Sequence, residues 1–336
     1  MTLRFNRIVS LGISFLILLL ITNCNQNAPR NNIFDPESEL YGQTGKLTGT
    51  VSSIYLPYSP IPGVKIEIAN ENRYSETDIN GQFSFPNLRP GESIVVFSAE
   101  GFYQVIDTLD IQAAETLDHQ IFMNGIPSIQ SVNLKTRHIA HWQPTEDEFM
   151  LDVEVGVYDH DGNLDIDSVV FRIPNWNFQR GLVVGLSSSS YVGAYFNDEF
   201  NPFAFPEIQG ELMQFECRDK SGLWGPIYQT QVSRLIVSTP LTLSPAGLNT
   251  VDSLPVFRWS QFDAGFEVQY EVDIFRLDES AIPVHILSSP LLTDTTLQWQ
   301  IESALAETRY YWTLTVYDRY NNLSVSREAS FVVVSS

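Results

Sequence analysis

The chain has 336 residues, with 19 Lys and Arg against 40 Asp and Glu, for a net charge of −21. That acid excess excludes nucleic acid as a partner, because phosphate binding needs a basic stripe, and excludes docking to anionic lipid through surface charge. Two Cys exclude a disulfide scaffold and a cysteine-zinc site, and the length predicts two or three domains.

At the N-terminus, Arg4 and Arg7 precede 15 uncharged, mostly apolar residues, Ile8 to Thr22. At about 1.5 Å per residue this stretch spans roughly 22 Å, short of the ~30 Å hydrocarbon core, so it reads as an export signal rather than a membrane span. Cys24 follows, and then the polar tract Asn25 to Asn32. A Cys directly after such a segment resembles the lipobox of bacterial lipoproteins. The resemblance implies a signal peptide over residues 1–23, acylation of Cys24, and localisation at the cell outer membrane through a lipid anchor. Residues 24–42, rich in Asn and holding Pro29 and Pro36, read as a flexible tether.

From Lys46 onward, short alternating or β-branched runs recur with Gly, Pro, Asn or Asp between them. The spacing predicts an all-β chain of three tandem antiparallel β-sandwich domains after the signal peptide. In residues 43–125, Leu47 to Val51 opens as a strand, and Val64, Ile66 and Ile68 alternate with polar neighbours. Asn80-Gly81 predicts a type I′ hairpin turn with φ > 0 at both positions, leading into Phe83 and Phe85. Ile94 to Phe97 reads as a buried strand. The series Pro62-Gly63-Val64, then Thr77-Asp78 with Gly81-Gln82-Phe83-Ser84-Phe85, then Pro90-Gly91 and Glu100-Gly101-Phe102 resembles the carboxypeptidase regulatory-like (transthyretin-like) family. The resemblance implies a seven-stranded sandwich that accompanies other domains and brings no catalytic site.

In residues 126–237, Phe149 to Val157 is a long strand, Asp159 to Asn163 turns, and Ser168 to Ile173 is a second strand. Met213, Phe215 and Cys217 alternate with polar residues, which places Cys217 on the apolar face of a strand, inert rather than nucleophilic. The pattern is similar to bacterial immunoglobulin-like domains. In residues 238–336, Phe257-Arg258-Trp259, the alternating run Tyr270 to Phe275 and the late strand Tyr310 to Tyr317 resemble the fibronectin type III family. Asp219-Lys220-Ser221-Gly222 and Asp318-Arg319-Tyr320-Asn321 read as equivalent turns of two related sandwiches.

No Gly-x-Ser-x-Gly elbow, phosphate-cradling Gly loop or His-Glu-x-x-His occurs in the sequence. His138 and His141 read as surface histidines, since three residues is not a same-face spacing on a strand. Asp159, Asp161, Asn163, Asp165 and Asp167 fall on alternate residues around Gly162. Hard oxygen ligands in one loop suit calcium, with Asp159, Asp161, Asn163 and Asp165 as ligands, although Gly162 and Val170 break the EF-hand template. The plainer alternative is an Asp-Gly turn closed by Asx hydrogen bonds. No other cofactor is indicated. Trp259, Trp299 and Trp312 read as core, while Trp142, Trp176 and Trp224 stand in turn contexts and are candidate binding residues.

These features together resemble Bacteroidetes-type envelope lipoproteins. The expected function is that of a lipid-anchored cell-envelope protein acting as a non-catalytic binding or structural module, with an envelope protein or glycan as partner. The alternatives are a glycan-binding lipoprotein of a polysaccharide-uptake system and a hydrolase without recognisable motifs.

Overall fold

A computed structural model describes residues 35–277, 282–293 and 297–334. Cys24 and the apolar segment before it lie outside these residues. Among the described residues no helix is long and apolar enough to cross a membrane. The chain divides into two compact units, residues 1–123 and 124–336.

The first unit is built from β1 (Gly45–Ser53), β2 (Lys65–Ile68), β3 (Arg73–Glu76), β4 (Gln82–Leu88), β5 (Gly91–Ser98), β6 (Val105–Ile111) and β7 (Thr116–Met123). A three-stranded sheet, β4-β1-β7, and a four-stranded sheet, β3-β2-β5-β6, enclose a core that includes Leu47, Ile66, Phe85 and Phe97. Alternation drives this arrangement: along β2, Ile66 and Ile68 are buried while Lys65 faces water. β1 and β7 run parallel, in register from Lys46↔Thr116 to Ser53↔Met123, where an antiparallel sandwich was expected. Gly49 permits that pairing, because a Cβ there would sit 1.9 Å from the His119 carbonyl oxygen.

Two details differ from the sequence reading. Gly81 has φ 72, but Asn80 is not among the positive-φ residues, so the turn is not type I′. Asp78 directs it instead: its Oδ1 accepts the Asn80 and Gln82 amides at 2.9 and 2.8 Å. The turn links β3 to β4, which lie in different sheets, so no hairpin is needed. Ile94 is exposed on β5 while Val95 and Phe97 are buried, the alternation of a strand with one wet face.

The second unit holds two cores. Around the first run β8 (Ser128–Ile139), β9 (Glu148–Tyr158), β10 (Ile166–Ile173), β11 (Phe178–Val184), β12 (Ser190–Phe196), β13 (Leu212–Asp219) and β14 (Tyr228–Gln231). β11 pairs with β10 through Leu182 and with β12 from Val183 on, so the ladder folds over at that point and encloses Leu151, Val155, Phe171 and Phe215. Around the second core run β15 (Thr242–Ser244), β16 (Asn249–Val251), β17 (Val256–Trp259), β18 (Gln269–Leu277), β19 (Pro283–Ser288), β20 (Gln298–Gln300), β21 (Arg309–Tyr317), β22 (Leu323–Val325) and β23 (Ala329–Val333). The β15-β17-β20 sheet and the sheet containing β18, β21 and β23 share Trp259, Tyr270, Trp312 and Phe331. Trp299 is only partly buried against that core.

β22 pairs parallel with β8, Leu323↔Arg137 to Val325↔Ile139, and so makes one hydrogen-bonded ladder through both sandwiches of the second unit. β16 and β23 form a further parallel pair. Three cores were expected as three tandem domains; the second and third are joined in one compact unit. The chain passes from one core to the next between Leu235 and Ile236.

Candidate functional site

Three chain segments meet at one end of the first sandwich of the second unit: the entry at Asn124-Gly125, the β9–β10 loop, and the β13–β14 turn. Asp159 opens the loop. Its Oδ1 accepts the Asp161 amide at 2.8 Å, and its carbonyl accepts the Gly162 amide at 3.0 Å. Gly162 takes φ 100, and a short 3-10 turn, Asn163–Asp165, follows. Asn124 donates Nδ2 to Asp219 Oδ2 at 2.6 Å and to Ser221 Oγ at 3.0 Å. The Gly125 amide donates to Asp161 Oδ2 at 2.5 Å, and the Lys220 amide to the Asp165 carbonyl at 2.9 Å.

The loop gathers Asp159, Asp161 and Asp165, with one carboxylate oxygen of each inside a 4.8 Å span. Asp159 is 2% exposed, Asp165 is buried and Asp161 half-buried. Burial, with the neighbouring carboxylates of Asp161, Asp165 and Asp219, pushes the Asp159 carboxyl up to about 6. Burial also raises that of Asp161. Asn163 departs from the expected ligand role: its Oδ1 accepts the Asp159 amide at 3.1 Å and closes the loop. Asp167 turns out to solvent and pairs with Arg218, whose hydrogen bond holds its carboxyl below the usual range. Sequence reasoning missed Asn124 altogether. It read Asp219 as a turn residue only, although the Asp-x-x-Gly pattern marked its position.

The three turn-context tryptophans have different surroundings. Trp176, expected at the surface as a binding residue, is 9% exposed and belongs to the core. The Pro174–Trp176 3-10 turn ends on Asn177 at φ 52, and the indole stacks on Phe203 at 4.8 Å with its ring edge-on to Phe200 at 5.8 Å. Turn chemistry placed the backbone, but the aromatic cluster decided where the ring went. That removes Trp176 from any recognition surface. Trp224 is 41% exposed, with the Arg172 and Arg218 guanidiniums over its ring at 5.7 and 5.5 Å. Trp142 is 60% exposed, and its ring is held by Nε1 donating to the Glu328 carbonyl at 2.7 Å and by Arg327 at 5.1 Å from the centroid.

Among the described residues two serine-histidine-aspartate groupings occur, and neither is arranged for attack. His138, read from sequence as a surface residue, is buried and stacked on Phe149 at 4.2 Å. Its Nε2 meets Asp147 Oδ2 at 3.0 Å and its Nδ1 meets Ser324 Oγ at 3.4 Å. Ser324 is fully buried, and its hydroxyl donates to the Ser238 carbonyl at 2.8 Å, so this series ties β22 to β8. At the surface, Ser288 Oγ donates to Asp273 Oδ1 at 2.5 Å, and His285 Nε2 faces both Ser288 and Asp273. A triad needs the carboxylate on the opposite ring nitrogen. Cys217 is fully buried, and burial pushes its thiol up to about 12.

No curated protein sequence matches the chain. Among solved structures it is similar to the chicken CNTN1 FN1–FN3 domains, at 10% identity and TM-score 0.31 over 80% of this chain and 90% of that one. It is similar to BcpA, the major pilin subunit of Bacillus cereus, at 10% identity and TM-score 0.30 over 88% and 99%. The Clostridium thermocellum CbhA fibronectin(III)-like modules are similar at 10% identity and TM-score 0.28 over 62% and 95%. Residues 46–124, the span of β1 to β7, match the carboxypeptidase regulatory-like domain family, and the chain carries one such domain there.

Proposed function

We propose that the chain is a lipid-anchored protein of a bacterial outer membrane, acting there as a non-catalytic binding or structural module. The observation that carries this reading is Cys24, placed one residue after the apolar segment Ile8 to Thr22 and ahead of β-sandwich units. Acyl chains contribute about 0.8 kcal/mol per buried CH₂, and more than one chain anchors a protein stably. Two observations support the non-catalytic half: Cys217 and Ser324 are sealed in the interior, and at the surface Ser288 and Asp273 both meet the same nitrogen of His285. Fractionation of producing cells tests the anchor. Wild-type protein is expected in the membrane fraction, and Cys24→Ser protein in the soluble fraction or as uncleaved precursor. Wild-type protein found soluble would contradict the reading.

A second reading, glycan binding, is favoured by Trp142, whose ring is both exposed and held by two neighbours. A rigid aromatic face binds a sugar ring at low entropic cost. Affinity electrophoresis in polysaccharide gels tests it: Trp142→Ala should weaken retardation by about 1–3 kcal/mol of binding energy. No retardation of the wild type by any polysaccharide would remove this reading and leave the anchored module.

A further inference from the structure

We infer that Asp159, Asp161, Asp165 and Asn124 form a calcium site. The donors are all hard oxygens, with no imidazole or thiolate, which suits calcium and not zinc or copper. Two oxygens bound to one Ca²⁺ at about 2.4 Å are at most about 4.8 Å apart, and the three carboxylates each place an oxygen inside that span.

A cluster of acids is common without an ion, so the second observation matters more. Asp159 Oδ2, Asp161 Oδ1 and Asn124 Oδ1 are buried atoms with no hydrogen-bond partner among the described residues. Asp159 is 2% exposed and Asn124 8%. A buried carboxylate oxygen left without a donor is costly unless a cation meets it. Each of these side chains uses one polar atom to build the loop and leaves the other. Asp159 Oδ1 takes the Asp161 amide, Asp161 Oδ2 takes the Gly125 amide, and Asn124 Nδ2 holds Asp219 and Ser221. The Asn124 amide orientation is thereby fixed, with Nδ2 on Asp219 and Oδ1 left over. Gly125 keeps the approach open, since a Cβ there would come within 2.4 Å of Asp159 Oδ1 and 3.1 Å of Asp161 Oδ2. The ligand set therefore differs from plain alternation along the loop: Asn163 closes the turn and Asp167 belongs to Arg218.

The test is calorimetric titration of the full chain, stripped with EDTA, with CaCl₂ and in parallel MgCl₂, together with scanning calorimetry. One Ca²⁺ should bind with a dissociation constant of about 10⁻⁴–10⁻³ M, as in extracellular modules, and raise the unfolding midpoint by mass action. Mg²⁺ should bind at least about tenfold more weakly, because it resists dehydration and demands octahedral geometry. Asp161→Asn should lower calcium affinity about tenfold or more, while Asp167→Asn should leave it within about twofold. Absence of saturable heat and of any midpoint shift in the wild type overturns the assignment, whatever the variants do. So does calcium binding that Asp161→Asn leaves intact, or a response to Mg²⁺ equal to that to Ca²⁺.

Discussion

Asn124 and Asp219, 95 residues apart in sequence, are joined by a 2.6 Å hydrogen bond from the Asn124 carboxamide to the buried Asp219 carboxylate. The bond ties the first residue of the second unit to the turn after β13. Asp219 Oδ1 meanwhile accepts the Leu223 amide at 2.9 Å and the Ser221 hydroxyl at 2.7 Å, so one carboxylate organises both segments.

Removing the Asn124 donor leaves Asp219 Oδ2 buried without it. Asn124→Ala in EDTA should therefore destabilise the second unit by about 1–3 kcal/mol, the usual penalty for orphaning a buried acceptor. Urea unfolding followed by Trp fluorescence measures it. An unchanged midpoint would mean that water replaces the amide.

Among the described residues the same turn is built at Asp78, Asp219 and Asp318, which separates turn chemistry from burial. In each, the aspartate side chain accepts the amide four residues on: Gln82 at 2.8 Å, Leu223 at 2.9 Å and Asn322 at 3.0 Å. Asp78 is exposed, whereas Asp318 is buried, pairs with Arg234 at 3.3 Å and also accepts Asn322 Nδ2 at 3.0 Å. Asp78→Ala should cost about 1 kcal/mol, as loss of a capping acceptor does. Asp318→Ala should cost about 3 kcal/mol or more, since it strands several buried donors and an arginine. Equal losses in chemical denaturation would show that burial is not what sets the difference.

Trp176→Ala should cost about 3–5 kcal/mol by opening a cavity beside Phe200 and Phe203, as should Trp259→Ala in the other core. Trp142→Ala, which gives up an exposed ring and one hydrogen bond, should cost about 1 kcal/mol or less. Thermal melts of the three variants rank them. A Trp142 variant as unstable as the Trp176 variant would move Trp142 from surface to scaffold.

Cys217 makes an alkaline prediction. Its thiol is held up to about 12 in the folded chain against 9.0 for an ordinary thiol. Between those values the unfolded chain loses its proton and the folded chain keeps it, so stability is complete below pH 9 and falls as pH rises above it. The slope approaches about 1.4 kcal/mol per pH unit for one group. Cys217→Ala should flatten the fall between pH 9 and 10, and iodoacetamide should leave native Cys217 unmodified at pH 8 until urea unfolds the chain. Labelling of the native protein would contradict both.

Much of this architecture was legible in the residues, because alternation reports which face of a strand is buried. Phe149 to Val157 and Met213 to Cys217 read as strands and are strands. Pairing partners were not legible: nothing local in Arg137 to Ile139 names Leu323 to Val325, and parallel pairing across 186 residues is a tertiary choice. The acidic loop was half legible. Alternate spacing would put Asp159 to Asp167 on one face of a strand, but Gly162 at φ 100 and the 3-10 turn wind the loop so that Asp165 comes in and Asp167 does not. Trp176 misled because proline and asparagine report backbone shape, whereas the indole followed the surrounding phenylalanines.

The most direct test of the account is the N-terminal chemistry of the mature protein. Mass spectrometry of its N-terminal peptide, after detergent extraction and proteolysis, should find Cys24 as the first residue carrying acyl chains. An N-terminus elsewhere, or an unmodified Cys24 in protein recovered from membranes, would contradict the lipid-anchored module proposed here.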